Sequence, residues 1–242
     1  MRTRISPATI ISDPVMTRIA IRPGSPRPRL ELRPGALAAR VLARGPDSAR
    51  LALVGLTALL LGGDHVEIDI DVGAGQSLDL VETAGVVAYD AAGQPCSWST
   101  RVRVAAGGRL RWLAQPFVVA TGAAVTRRTE IELMPGAAMR WRETLVLGRS
   151  GEYGGSLSCF TRIHHDRRPL LIEDLDLTEP SARDQPGMLG SGGHHRVIDQ
   201  LCCLGAEPAP EPAGMARFDL DGPGTVLRWI GDSTADSPLA VV

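Results

Sequence analysis

From Val66 to Val72 the chain alternates strictly, with Val66, Ile68, Ile70 and Val72 apolar and Glu67, Asp69 and Asp71 acidic between them. A period of two marks a strand with one face in a core and the other in water. Gly73-Ala74-Gly75 follows, and a tight reversal draws on glycine because it needs positive φ, which a Cβ penalises. Leu78 and Leu80 resume the alternation, and the same parity carries Glu82 onto the apolar side. The stretch predicts a β-hairpin with a carboxylate at an unexpected inward position.

The same grammar recurs along the chain. RLELRPGALAARV (Arg29 to Val41), EIDIDVGAGQSLDLVE (Glu67 to Glu82), RVRVAAGGRLRWLA (Arg101 to Ala114) and EIELMPGAAMRWRE (Glu130 to Glu143) each read as strand, glycine-centred turn and strand. RFDLDGPGTVLRWI (Arg217 to Ile230) is a weaker fifth copy. Each copy exposes an apolar face that needs a partner layer, so the pattern predicts a mainly β protein with little helix. Stacked antiparallel hairpins would form two packed sheets, wound in a helical sense. Ser156 to Leu177 reads as a further strand pair turning at Asp166, and Thr178 to Gly193 as a surface loop. His194 to Leu204 stays open. A helix there would align His195, Asp199 and Cys202, and a strand would scatter them. Ala206 to Gly214 is a proline-rich linker. Residues 1–28, rich in Pro and Arg, are expected to be flexible, with only Arg18 to Ile21 strand-like, and residues 29–242 to form a single β domain.

Composition narrows the function classes. With 242 residues and 44% hydrophobic content the chain can bury one sizeable core. Three Phe, two Tyr and four Trp leave that core to Val, Leu, Ile and Ala. A net charge of −1 speaks against nucleic acid as a partner, and that all 26 basic residues are Arg reads as a codon-composition effect with no functional weight. The four cysteines follow no zinc or disulfide spacing, so reduced thiols are expected. The longest apolar run, Leu51 to Leu61, is broken by Gly55 and Thr57 and is shorter than the about 20 residues a bilayer requires. No signal-peptide pattern opens the chain, and the expectation is a soluble, cytoplasmic protein without membrane association.

Glu82 and Glu143 stand at equivalent inward positions of their copies. A buried carboxylate needs an Arg, donors, water or a metal, so the pair reads as a polar passage or cation site, or as strand ends that reach solvent. Gly62-Gly63-Asp64 reads as a turn that also presents an acceptor to a close partner. His164-His165, His194-His195 and Cys202-Cys203 are soft-ligand candidates, each pair offering one ligand at most because neighbours on a strand point apart. The chain carries no phosphate cradle, nucleophile elbow or His-Glu-x-x-His helix, and no catalytic constellation.

The ordered series LLLGGDHVEIDIDVGAG from Leu59, Tyr89-Asp90, LAQP from Leu113, WRETLVLGRSGE from Trp141 and PLLIEDLDL from Pro169 resembles the urease accessory protein family UreD, also called UreH. The resemblance covers about Leu56 to Leu177. It implies a mainly β, non-catalytic protein that docks on apo-urease and acts with UreF and the GTPase UreG, reached through UreF, in delivering nickel. Gly62, Gly63 and Asp64 match the family's glycine-glycine-aspartate, Glu143 its tryptophan-x-glutamate, and Gly148, Arg149 and Glu152 its glycine-arginine segment, with Tyr89 as a further motif position. The family's proline- and aromatic-rich stretch is replaced by the plain Ala38 to Ala58, and its helical C-terminal tail is curtailed.

The resulting expectation is a urease-maturation scaffold with no tightly bound cofactor, through which nickel passes along Asp64, Glu82 and Glu143. Two rivals come from other classes: a β-rich interaction module with no metal role, and a hydrolase using Glu82 and Glu143 as a carboxylate pair.

Overall fold

A computed structural model describes residues 16–177, 195–205 and 212–240. In chain order its strands begin with β1 (Thr17–Arg22), β2 (Arg29–Arg33), β3 (Leu37–Arg44), β4 (Ser48–Gly55), β5 (His65–Val72) and β6 (Ser77–Glu82). Next come β7 (Val86–Ala88), β8 (Cys96–Val104), β9 (Arg109–Leu113), β10 (Phe117–Val119), β11 (Ala124–Leu133) and β12 (Ala138–Leu147). The last are β13 (Ser156–His165), β14 (Arg168–Leu177), β15 (Val197–Leu204), β16 (Ala216–Asp219) and β17 (Gly224–Gly231). A single 3-10 turn, Thr234–Asp236, is the one helical element among the described residues.

The strands form two packed sheets, as the alternation predicts. Sheet one runs β14-β13-β11-β8-β5-β1-β2, and sheet two runs β16-β17-β15-β12-β9-β6-β4-β3, with β7 and β10 attached beside the end of β12. The predicted hairpins, however, are not hairpins. β5 pairs with β1 and β8, while β6, on the far side of Gly73-Ala74-Gly75, pairs with β4 and β9 in the other sheet. Each of the first four glycine turns is therefore an arch that carries the chain from one sheet to the other, and like strands of the second, third and fourth copies pair in parallel. Only the weak fifth copy, β16 with β17, is an antiparallel hairpin. Alternation fixes which side chains face inward, but it is the same for a strand that folds back beside its partner and one that crosses to face it.

The arches stack on one another. Gly75, Gly107 and Gly136 have φ of 66°, 66° and 72°. Neighbouring arches are joined by Gly75 N to Ala106 O at 3.1 Å, Ala105 N to Val72 O at 2.8 Å and Met134 N to Val104 O at 2.9 Å.

Parallel register lines up equivalent residues in rows. Ile19, Ile70, Val102, Ile131 and Ile163 form one row of sheet one, and Leu51, Leu80, Trp112, Trp141, Cys202 and Val226 one row of sheet two. These rows face each other in one continuous core. On the outer face of sheet one, Arg18, Asp69, Arg101, Glu130 and Arg162 lie side by side with alternating sign. Arg18 is bonded to Asp69, and Arg22 holds Asp71 with two hydrogen bonds of 2.6 Å.

Three stretches settle differently from, or more finely than, the sequence expectation. Thr17–Arg22, inside the segment expected to be flexible, is β1, with Ile19, Ala20 and Ile21 fully buried; residues 1–15 lie outside the described residues. The stretch left open from His194 is strand β15 from Val197, and it scatters its polar side chains as a strand must. Ser156 to Leu177 is a true hairpin, β13 with β14, turning through Asp166 and Arg167 at φ of 48° and 62°.

Four free cysteines, Cys96, Cys159, Cys202 and Cys203, are all buried. Burial pushes the Cys159 thiol up to about 12, with the Glu143 carboxylate adding to the shift, and raises Cys96 and Cys202 in the same sense.

Two outcomes follow from this geometry. Gly136→Val should destabilise the chain by about 1–3 kcal/mol, the cost of a β-branched residue held at positive φ. Chemical denaturation should show a lower midpoint with the β-type circular dichroism kept; an unchanged midpoint would contradict the stacked arch. For the cysteines, a neutral thiol whose folded value exceeds its ordinary one contributes stability that is full below the ordinary value and is lost as pH rises towards the folded one. At pH 8 the native chain should react slowly with a thiol reagent and the denatured chain at once. Stability should fall as pH climbs from 9 towards 12.

Candidate functional site

Apart from Glu143, the family-motif residues gather at one end of the molecule. Asp64 closes a turn, with its Oδ2 accepting from Leu61 N at 2.9 Å and its own N–H donating to Leu61 O at 3.0 Å. Gly62 is required there by close approach, since a Cβ would stand 2.5 Å from Ala91 O. Ala91 N donates to Gly122 O, Ala120 N to Ala88 O, and Gly148 N to Val119 O, so the loops after β7, β10 and β12 are tied together. In the last of these loops Glu152 accepts from Arg149 N at 3.0 Å, Arg149 Nε at 2.8 Å and Thr121 N at 3.2 Å. Arg149 and these backbone donors hold its carboxyl down to about 2. The Tyr89 phenol, near Arg149 and exposed on the surface, completes the group. Leu61 and Tyr153, the latter 87% exposed, add apolar surface at the same end.

Glu82 and Glu143 lie deeper. Glu82, half-buried at the end of β6, lines a cleft of about 330 Å³ with Leu53, Val86, Tyr89 and Trp98. Its oxygens accept from Trp112 Nε1 and from Gln115 N, both at 2.9 Å. Burial raises its carboxyl above the ordinary range, against the pull of those two donors and of Arg127. Glu143 is 5% exposed. Its Oε1 lies 2.8 Å from Arg127 Nη2, and its Oε2 accepts from Gln200 Nε2 at 3.0 Å.

The pairs continue across the body. Gln200 Oε1 accepts from Arg228 Nη2 at 2.7 Å, and Arg228 reaches both oxygens of Glu173, at 2.7 and 2.9 Å, near the surface of β14. A polar series therefore runs from the cleft at Glu82, past Arg127, through Glu143, Gln200 and Arg228, to Glu173. Removing one partner of the Arg127–Glu143 pair would leave the other charge buried alone, at a cost of about 3–5 kcal/mol.

Sequence reading found the two glutamates but not Arg127, Gln200, Arg228 and Glu173. For Arg127 the signal was available: Val125, Thr129, Ile131 and Leu133 share its parity, so it is an Arg on the buried face of β11. Gln200 follows the buried Asp199 in a strand that is apolar elsewhere, and nothing local marks its partner. Asp64 has its turn for a partner, whereas Glu82 feels both Arg127 and Glu143 electrostatically.

The soft-ligand candidates do not converge. Among the described residues no group of three or more His, Cys, Asp or Glu side chains could hold a metal ion. Cys202 faces the main core and Cys203 a small cluster with Leu201, Met215, Leu227 and Leu239. His195 pairs with Asp232 at 3.0 Å, and His194 lies outside the described residues. A hydrolytic carboxylate pair is not supported either. Glu143 is buried and paired with Arg127 and Gln200, and Glu82 is turned to Trp112 and the backbone of Gln115, so both carboxylates are committed to contacts within the fold. Among the described residues no helix is long and apolar enough to cross a membrane.

Comparison with known proteins agrees with the motif residues. A family model described as UreD urease accessory protein matches residues 28–237. Urease accessory protein UreD 1 of Streptomyces griseus is 51% identical over 201 residues, covering 83% of this chain and 77% of its own length. UreD of Streptomyces avermitilis is 34% identical over 209 residues (85% and 77%), and UreD of Frankia casuarinae 34% over 219 residues (77% and 68%). With matches of this extent over the β body and its motif loops, the chain belongs to the UreD family of urease accessory proteins, helpers of an enzyme and not catalysts themselves.

Proposed function

We propose that the chain is a cytoplasmic assembly scaffold of urease maturation. It holds apo-urease together with UreF, meets UreG through UreF, and conducts nickel through its β body as cargo, with no tightly bound cofactor. The observation that carries this reading is the charged series that crosses the body, from half-buried Glu82 through the buried Arg127, Glu143 and Gln200 to Glu173 near the surface. An ordinary sandwich core has no use for such a series, because burying charges rarely improves stability over apolar packing. Carboxylates, amide and water suit transit of a divalent ion, since a closed thiolate or His cage would retain nickel. The exposed Leu61, Tyr89 and Tyr153 beside the tied loops are a surface suited to a protein partner.

One observation favours a second reading, an interaction module without a metal role: every oxygen of Glu82 and Glu143 is occupied in the structure. Co-expression with urease, UreF and UreG separates the two. Glu82→Gln and Glu143→Gln remove charge and keep volume, so the combined variant should still co-purify with urease and UreF while urease activity and bound nickel fall. Full activation by the double variant would leave the module reading standing.

The docking end has its own test. Leu61→Asp with Tyr153→Asp changes exposed side chains only, and should reduce recovery of urease or UreF in pull-down at an unchanged melting temperature. Undiminished recovery of both would move the partner surface elsewhere.

A further inference from the structure

Arg127 is the anomaly inside the sandwich. It projects inward from β11, in register with Trp98 on one side and Cys159 on the other, and is 6% exposed. Its guanidinium carbon lies 4.6 Å from the centre of the Phe117 ring, Nη2 holds Glu143, and its buried Nε has no hydrogen-bond partner. Phe117 in turn meets Trp98 edge-on at 5.8 Å, and Trp98 lines the cleft that Glu82 opens onto. A buried guanidinium with an unpaired N–H is incompletely satisfied in its present position. It also lies within electrostatic reach of the second carboxylate, Glu82.

This position has a consequence for any cation that enters. A metal ion at Glu143 would have to compete with Arg127 on one oxygen and with Gln200 on the other. We propose that Arg127 is a resident counter-cation: it occupies Glu143 between passages and is displaced when a divalent ion takes its place. The inference rests on the transit reading above and adds its regulation. While paired, Arg127 neutralises Glu143 and lets the carboxylate stay buried without a metal. Once displaced, its charge remains beside the ion and repels it, which keeps binding weak and favours onward release. Phe117 gives the guanidinium a face to rest against during the exchange, and Glu82 a second carboxylate to turn towards. Oxygen ligands already hold the ion weakly, and a tethered positive charge beside them shortens its stay further.

The test uses the full chain co-expressed with UreF and dialysed against nickel chloride. Arg127→Met removes the charge and leaves the Glu143 carboxylate in need of a cation. Nickel retention should rise about tenfold or more, the scale on which partners of a ligating group alter metal affinity. Adding Glu143→Gln to Arg127→Met should abolish the gain, and Arg127→Lys, which keeps a positive charge, should retain nickel as the unchanged chain does. Arg127→Gln, a neutral donor to Glu143, serves as the second variant if Arg127→Met fails to fold. Unchanged retention in a folded neutral variant overturns the proposal. So does failure of both neutral variants to fold, because a pair the fold cannot spare is not one an ion can open. The two readings fail separately: full urease activation by the E82Q/E143Q chain removes the path itself, whereas loss of activation there with unchanged retention in R127M removes only the role of Arg127.

Discussion

The central strands of this protein, β5, β8 and β11 in one sheet and β6, β9 and β12 in the other, depend on neighbours outside their own copy of the repeat for their backbone hydrogen bonds. An arch sends its two limbs to different sheets, so neither limb can satisfy the other's N–H and C=O groups, and a buried backbone group left unpaired is costly. The copies must therefore stack before any of them is stable, as in solenoid proteins. Parallel stacking then places each residue beside its counterpart in the next copy. This is why the core is built of rows, isoleucine and valine along one sheet and leucine and tryptophan along the other.

The same constraint gathers the polar interior. Rows keep apolar positions apolar along most of the core, so a charged side chain on an inward position stands out against its own row. Arg127 is flanked by Trp98 and Cys159, and Glu143 projects from β12 beside Gln200 of β15. The two reach each other across the gap between sheets, which facing side chains fill. Gln200 and Arg228 extend the contact along sheet two because β12, β15 and β17 are consecutive neighbours there. Stacking order thus decides which charges can form a series, and the arches bring it within reach of the motif loops.

Much of this was legible in the amino-acid order. The alternation gave the inward faces, the glycine turns gave the copies, and the parity gave Glu82 and Glu143 as internal carboxylates. The pairing partner was misread, yet the outward charges held the answer. As a hairpin, the third copy would set Arg101 and Arg103 beside Arg109 and Arg111, and like charges on adjacent strands repel. Between copies in sheet one the signs complement each other: Asp69 meets Arg101, which meets Glu130, which meets Arg162. What no local pattern holds is the meeting of Glu143 with Gln200 or of Arg228 with Glu173, because these link segments far apart in sequence and depend on the order of strands in the finished sheets.

A stack of like coils has no intrinsic length, since each parallel edge is a template for the next strand, whether from the same chain or another. Here that growth is stopped at both ends of each main sheet. In sheet one the parallel run terminates in antiparallel β14 and β2, and in sheet two in antiparallel β3 and in β15, β17 and β16. The β13–β14 and β3–β4 pairs each carry a register shift, β2 presents Arg29, Glu31 and Arg33, and β14 has Pro169 near its start. Reversing the last strands makes a potentially endless filament into a particle of fixed size, so a protein whose work is to join other proteins is protected from joining itself.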